Sequence, residues 1–112
     1  MSSESAGPFS YTVEESGNAT TGYNTTIHCH GKVVIETAGE LKDLVKPLII
    51  RGGRIVLDFK DVTMVDSLGL GTLVGLKVSA VSAGFCILEF QDLSPRVQEL
   101  LRLTKLTQMF SN

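Results

Sequence analysis

The sequence has only two cysteines, Cys29 and Cys86, and they do not form a Cys-x-x-Cys motif. Both lie far apart inside apolar, strand-like runs, which indicates buried reduced thiols rather than a redox pair or a zinc site. His28 and His30 flank Cys29 and would share one face of a strand, but no third metal ligand stands nearby. We therefore expect a solvated strand face carrying His28, His30 and Lys32, and no metal.

An excess of positive charge and a long hydrophobic run are also missing. Ten basic and twelve acidic side chains give a net charge of −2, without the basic patch that nucleic acid binding requires. No apolar run approaches the roughly 18–20 residues that span a bilayer. Residues 1–8 lack the basic and apolar regions of a secretory signal and are interpreted as a flexible tail. These absences predict a cytoplasmic protein that neither binds nucleic acid nor inserts into membranes.

The rest of the sequence is typical of one packed domain. It has 112 residues, 43% hydrophobic and 20% charged, which leaves no room for a second core and argues against disorder. We expect the domain to span residues 9–112.

The spacing of apolar residues switches between the periods of strands and helices. The predicted elements are an edge strand over 9–15, a strand over 25–35 bent near Gly31, a helix from Glu40 to Gly52-Gly53, a strand over 54–59, a helix over 70–81 that Gly84 stops, an interior strand over 85–90, and a helix opened by Ser94-Pro95. This order predicts a single α/β domain with a mixed, mostly parallel sheet of about four to five strands and helices packed on one face.

Three apolar stripes at helical spacing define the expected helix contacts with the core. They are Leu41, Leu44, Val45, Leu48 and Ile49; then Leu70, Leu73, Val74, Val78 and Val81; then Val97, Leu100 and Leu101 with Leu106 and Phe110 behind. Thr37 and Glu40 have the spacing of a capping box, and Pro47 predicts a bend or a second short turn. Gly71 and Gly75 are interpreted as packing glycines that allow close backbone approach.

Residues 64–71, Met-Val-Asp-Ser-Leu-Gly-Leu-Gly, are the most informative segment. Asp66 and Ser67 follow a strand-like run and precede a helical pattern, so Ser67 is expected on a loop at, or just before, a helix N-terminus. That end of a helix also accommodates a phosphate. The alternative is that Asp66 or Ser67 is only a helix cap.

Enzymatic chemistry at this segment is not supported. Asp66-Ser67-Leu68 resembles part of the Gly-Asp-Ser-Leu signature of one hydrolase class, but Val65 replaces the glycine. No histidine follows residue 30 to act as the base that a nucleophilic serine needs. The glycines at 69, 71 and 75 miss the dinucleotide-binding spacing, and the Lys-Ser/Thr ending of a phosphate-binding loop is absent. We expect a protein that is not an enzyme.

Residues 56–59 and 62–71 resemble the central strand and the Asp-Ser-x-Gly-x-Gly loop of the STAS family, the anti-sigma factor antagonists of bacterial partner switching. The segment from Ser94-Pro95 to Leu103-Thr104 resembles that family's last helix, so the resemblance covers about 25–110. It implies that Ser67 is phosphorylated by an anti-sigma factor that is also a serine kinase, and that a serine phosphatase removes the phosphate. ATP and magnesium would come from the kinase, so the chain itself is expected to need no cofactor.

The resemblance also implies a partner-binding surface in two loops. Unphosphorylated, this surface would bind the kinase and free the sigma factor. Its residues are Thr37, Thr63, Met64, Asp66, Ser67, Leu68, Gly69 and Leu70.

The chain departs from the family pattern at three positions. Leu68 replaces a frequent second hydroxyl residue, so phosphorylation there is excluded. Val34 replaces the acid of a Gly-Glu-x-Asp motif, which argues against nucleotide binding. Lys105 replaces a helix-ending glycine.

Two alternatives stay open: a STAS module that binds a partner without phosphate control, such as a transporter accessory or scaffold, and a small-ligand or nucleotide carrier. The sequence leaves open whether the chain forms a homo-oligomer.

Overall fold

The computed structural model describes residues 9–105. The expected tail at residues 1–8 and the expected contacts of Leu106 and Phe110 lie outside this range. The elements in chain order are β1 (Phe9–Asn18), β2 (Gly22–Val33), α1 (Ala38–Arg51), β3 (Gly53–Val65), α2 (Ser67–Ala83), β4 (Cys86–Gln91) and α3 (Pro95–Leu103).

The four strands form one mixed sheet in the order β1-β2-β3-β4. β1 pairs antiparallel with β2, and the β2–β3 and β3–β4 pairs are parallel. This confirms a single α/β domain with a mixed, mostly parallel sheet. The prediction that 85–90 forms an interior strand was wrong: β4 pairs only with β3 among the described residues, and Phe85 just before it is 63% exposed. The density of apolar residues there reflects an exposed apolar edge, not burial on both faces.

One face of the sheet is covered by helices. Alternate residues of β2, β3 and β4 point into a core shared with all three helices, as the period of two in a strand requires. The opposite face of the sheet carries charged pairs, including Arg54 with Glu89 at 2.6 Å and His28 with Asp58 at 2.8 Å. The smallest extent of the molecule, 20 Å, suits one layer of helices on one sheet. The strand-face residues on this core are Ile27, Cys29, Ile55, Leu57, Leu88 and Phe90.

Helix α1 follows its predicted stripe. Leu41, Val45 and Ile49 are buried, while Leu44 and Leu48 are half-buried. The helix runs through exposed Pro47 without interruption, so the expected second short turn is absent.

The capping box predicted for α1 was wrong. Thr37 makes no side-chain bond to the start of the helix. Its hydroxyl instead bonds back to the end of β2, at Lys32 O.

Helix α2 has a different buried face from the one predicted. Leu70 and Leu73 are buried and Val74 is half-buried, but Val81 is 69% exposed. Val78 is exposed too, and Leu76 and Ala80 occupy the core in their place. Because apolar residues lie on every side of this helix, spacing alone could not identify the stripe that faces the sheet.

The interpretation of Gly71 and Gly75 as packing glycines was also wrong. A Cβ atom added at either position meets nothing within 4 Å among the described residues. Gly69 is the helix residue that makes the close backbone contact.

The predicted central strand is longer than its apolar run. β3 extends through Val65, past exposed Lys60 and Asp61, and its pairing with β2 shifts register between His28 and His30 and between Gly31 and Lys32. Register shifts therefore flank Gly31, where the sequence predicts a bend, while β2 itself runs unbroken. The extension places Met64 and Val65 on the strand and delivers Asp66 directly to the start of α2.

Helix α3 begins as predicted. Ser94 Oγ accepts a hydrogen bond from Val97 N at 3.2 Å, and Pro95 is the first helical residue. Val97 and Leu101 are buried and Leu100 is half-buried.

Both cysteines are free thiols. Cys29 is buried, and this burial raises its pKa to about 12. Cys86 is partly buried, which also raises its pKa. These environments favour the protonated thiols expected from the sequence.

Candidate functional site

The end of β3 and the start of α2 form a capped junction. Asp66 is the N-cap residue of α2: its Oδ1 accepts a hydrogen bond from Gly69 N at 2.7 Å, and its carbonyl accepts one from Leu70 N at 2.8 Å. Ser67 is the first residue of the helix and is exposed. The cap suggested by the sequence is thus Asp66, and Ser67 is exposed beside it.

Asp66 also binds the neighbouring loop between β2 and α1. Its Oδ2 accepts a hydrogen bond from Ile35 N at 3.0 Å, and its own N–H donates to Val33 O at 3.3 Å. Both carboxylate oxygens therefore have backbone donors. The two loops that contain the predicted partner-binding residues are joined at this one side chain.

Gly69 lets the two loops approach each other closely. A Cβ atom on Gly69 would lie 2.0 Å from Val33 O, a separation that no side chain can adopt. The helix start therefore packs directly against the end of β2. Since Gly69 N is already bonded to Asp66, the glycine serves packing here and not a ligand.

Thr37 stabilises the second loop from inside. It is only 3% exposed, its Oγ1 accepts from Val34 N at 2.9 Å, and its hydroxyl lies 2.7 Å from Lys32 O and can donate to it. The side chain is turned away from solvent, so its predicted involvement in partner binding can operate only through the shape of the loop.

The predicted residues divide between an outer and an inner set. Gly69 and Leu70 are buried, like Thr37, while Thr63 is exposed and donates its hydroxyl to Gly31 O at 3.2 Å. Met64 and Leu68 are 52% and 50% exposed. Sequence reasoning missed Ile35, which is 64% exposed, and the exposed Glu36, because neither belongs to a motif. We call Ile35, Glu36, Met64, Ser67 and Leu68 the loop surface.

Two concavities adjoin the loop surface. One, of about 410 Å³, lies between the loops and is lined by Ile35, Glu36, Met64 and Asp66 among others. The second, of about 350 Å³, lies between α1 and α2 and contains Ser67 at one end. Two cations from α1, Lys42 and Lys46, line this second groove. Their proximity to Ser67 could not be predicted from the sequence, because it depends on how the two helices pack.

The histidines lie on the open face of the sheet, away from this groove. His28 Nδ1 is 2.8 Å from Asp58 Oδ2 and its Nε2 is 3.5 Å from Glu14, while His30 pairs with Asp61 at 3.2 Å. The hydrogen bond with Asp58 raises the pKa of His28, burial opposes this, and Glu14 adds to the increase. The solvated strand face expected from the sequence is therefore a face of histidine–carboxylate pairs.

Residues 9–105 contain neither a candidate metal site nor a candidate membrane-spanning helix. No cluster of three or more His, Cys, Asp or Glu side chains there could hold a metal ion. Within the same range, no helix is both long and apolar enough to span a membrane.

Comparison with known families identifies the class of protein. Residues 16–111 match the family model described as "Mlab, STAS domain". The chain therefore belongs to the STAS domain family, as the loop containing Asp66 and Ser67 suggested.

Solved structures with the same fold include anti-sigma factor antagonists. The chain is 18% identical to unphosphorylated SpoIIAA, covering 89% of this chain and 84% of that one, with a TM-score of 0.68. The phosphorylated form of SpoIIAA from Bacillus gives 16% identity, coverages of 89% and 87%, and a TM-score of 0.66. An anti-sigma factor antagonist from Mycobacterium paratuberculosis is 17% identical to the chain, with coverages of 90% and 83% and a TM-score of 0.66. At these identities the likeness establishes the fold. A search of curated proteins finds no match.

Proposed function

We propose that this protein is an anti-sigma factor antagonist whose binding is switched by phosphorylation of Ser67. Unphosphorylated, the loop surface binds an anti-sigma factor that is also a serine kinase, and the sigma factor is released. Phosphorylation then dissociates the complex, and a serine phosphatase restores the binding form. ATP and magnesium belong to the kinase, and the protein works in the cytoplasm, where ATP is available.

The observation that carries the proposal is the position of Ser67. It is exposed at the first position of α2, beside an Asp66 carboxylate fixed by two backbone N–H groups. A kinase can reach this residue without unfolding the domain. SpoIIAA, a protein of this fold, has been solved in unphosphorylated and phosphorylated forms, which supports a phosphorylated form of this domain.

The electrostatics of the junction suit a switch. A phosphate adds about −1.5 to −2 charges at pH 7. Within the domain, the start of α2 and the two lysines of the neighbouring groove favour that charge. Across an interface, the added charge beside Asp66 must be desolvated, which would weaken binding by about 2–4 kcal/mol, or roughly 30- to 1000-fold.

The first experiment maps the modified residue. The purified protein is incubated with each candidate anti-sigma factor kinase, ATP and magnesium, and the phosphorylated residue is identified by mass spectrometry. The proposal predicts one phosphate, on Ser67. Ser67→Ala removes it, and Ser82→Ala, an exposed serine on the same helix, is the matched control and retains it. A phosphate at another residue, or no modification by any of the kinases, contradicts the proposal.

The matched family model is described as a STAS domain, and that description names no phosphorylation. The second candidate is therefore partner binding without phosphate control, for example as a transporter accessory or scaffold. Ser67→Asp separates the two. Under the switch it weakens binding of the partner, and under the second candidate it leaves binding unchanged.

A further inference from the structure

The outward face of α2 has no charge. Lys77 is the only charged residue among the seventeen of this helix, and it turns toward the sheet, where its Nζ donates to Leu88 O at 2.6 Å. A helix face in contact with solvent normally carries charged side chains. This uncharged surface, the α2 face, consists of Ser67, Gly71, Gly75, Val78, Val81 and Ser82, all of them exposed.

Two glycines keep this face open at a cost to the helix. Glycine in a helix interior is destabilising relative to alanine. Gly71 and Gly75 have room for a Cβ atom, since nothing among the described residues lies within 4 Å of that position. No contact described within residues 9–105 requires them. The space above them therefore suits close approach by a group outside the described residues.

The groove beside this face is positively charged on one side. It extends along α2 from Ser67 to Ser79, which is about 18 Å at the rise of an α-helix. On the α1 side it is lined by Lys42 and Lys46, which are exposed and form no ion pair within residues 9–105. The lysines are one helical turn apart, and so are Gly71 and Gly75. A partner helix presents its side chains at this same spacing.

We propose that the groove between α1 and α2 binds an amphipathic helix of the partner protein, with small or apolar residues against Gly71 and Gly75 and acidic residues against Lys42 and Lys46. This rests on the proposed function in taking the partner to be a protein. It extends the interface from the loop surface along about three turns of α2.

The charge of the groove selects this occupant over segments of the chain itself. Residues 106–112 contain no acidic side chain, and residues 1–8 contain only Glu4. The helices of a second copy match the groove no better. Its α2 contains no acid, its α1 carries two acids against three bases, and Glu99 of its α3 is paired with Arg102. An acidic helix from another protein is the occupant that complements both lysines.

The test places a photo-crosslinking amino acid, p-benzoylphenylalanine, at Ser79, the end of the groove remote from Ser67, in the full-length protein expressed in its own host. The crosslinked peptide is sequenced by mass spectrometry. The proposal predicts a peptide from another protein with apolar residues at helical spacing and at least two acidic residues. The same amino acid at Thr12, exposed on β1, is the positional control and should not give this peptide. A crosslink to a second copy, to residues 106–112, to a peptide without acids or to nothing overturns the proposal.

Substitutions then test which side chains matter. Gly71→Ala and Gly75→Ala should lower the crosslinking yield about tenfold while raising the melting temperature by about 4 °C each. Gly39→Ala adds the same methyl group to α1, also with nothing within 4 Å, and should leave the yield unchanged. Replacing Lys42 and Lys46 together by methionine should lower the yield about fivefold. An unchanged yield in Gly71→Ala and Gly75→Ala, or in the double methionine variant, contradicts the proposal.

The test of the groove and the test of the phosphorylation switch give distinguishable results. If Ser67→Asp leaves the crosslink intact while Gly75→Ala lowers its yield as expected, the groove binds a partner and the switch fails. If Ser67 is phosphorylated and controls binding but Ser79 gives no crosslink, the switch stands and the groove proposal fails.

Discussion

Asp66 and Ile35 are joined by a hydrogen bond of 3.0 Å from the backbone N–H of Ile35 to the Oδ2 atom of Asp66, across 31 positions of sequence. Because Oδ1 of the same carboxylate caps α2 through Gly69, one side chain fixes both loops of the site. The position of Ser67 relative to the exposed Ile35 side chain therefore depends on Asp66.

Replacing Asp66 should destabilise the domain more than removal of an ordinary helix cap. Asp66→Ala loses two hydrogen bonds to backbone N–H groups and should lower the free energy of unfolding by about 2–3 kcal/mol. Ser94→Ala removes the single capping bond of α3 and should cost about 1 kcal/mol. Urea denaturation measures both. Equal losses in the two variants would show that the bond to Ile35 contributes nothing.

Two glycines of one helix should respond in opposite directions to the same substitution. Gly69→Ala places a methyl group 2.0 Å from Val33 O and should destabilise the protein by about 2–3 kcal/mol. Gly71→Ala meets open space and should stabilise it by up to about 1 kcal/mol. Thermal and urea unfolding of the pair provides the comparison. A neutral Gly69→Ala would mean that the helix start does not pack on β2 as described.

The Thr37 hydroxyl should matter for stability despite lying in a loop. Thr37→Val keeps the shape but leaves Val34 N and Lys32 O without their partner, which should cost about 1–3 kcal/mol. Thr37→Ser keeps the hydroxyl and should cost less than half as much. If urea denaturation gives the same free energy for both variants, the hydroxyl is not holding the loop.

The pair of His28 and Asp58 should make stability depend on pH. The hydrogen bond between His28 and Asp58 raises the pKa of His28 above the ordinary 6.5. Burial of the imidazole lowers this pKa, and Glu14 raises it further. A raised pKa in the folded state means that the stabilisation is complete below about pH 6.5 and is lost as the pH rises through the folded value. Since the imidazole is partly exposed, the effect should be below about 1 kcal/mol.

Urea midpoints at about pH 6 and pH 8 measure this change. Asp58→Asn removes the charge that raises the pKa of His28, so its midpoint should fall less between the two pH values than that of the unchanged protein. An equal fall in both proteins would assign the pH dependence to other groups.

What the sequence could predict here depends on how local each feature is. The start of α2 at Asp66 and Ser67 and the start of α3 at Ser94 follow from cap chemistry within four residues. The hydrogen bond from Ile35 to Asp66 could not be predicted from the sequence, because it joins residues that only the parallel pairing of β2 and β3 brings together. The predicted capping box at Thr37 was wrong for a related reason. The Thr37 hydroxyl bonds backward to β2 instead of forward into α1.

Local sequence was also insufficient to predict which apolar residues are buried. The stripe of α1 could be predicted because polar residues lie between its apolar positions. In α2 the apolar residues surround the helix, so Val78 and Val81 were assigned to the core although both are exposed. The run ending at Phe90 belongs to an edge strand, and apolar density alone does not distinguish an edge from the centre of a sheet.

The central claim is that a phosphate on Ser67 controls binding of the partner. It is tested most directly by calorimetric titration of the partner kinase, without ATP, with the unmodified protein and with the same protein carrying phosphoserine at position 67. We expect the phosphorylated form to bind roughly 30- to 1000-fold more weakly, with its fold unchanged by circular dichroism. Equal dissociation constants for the two forms would contradict the account.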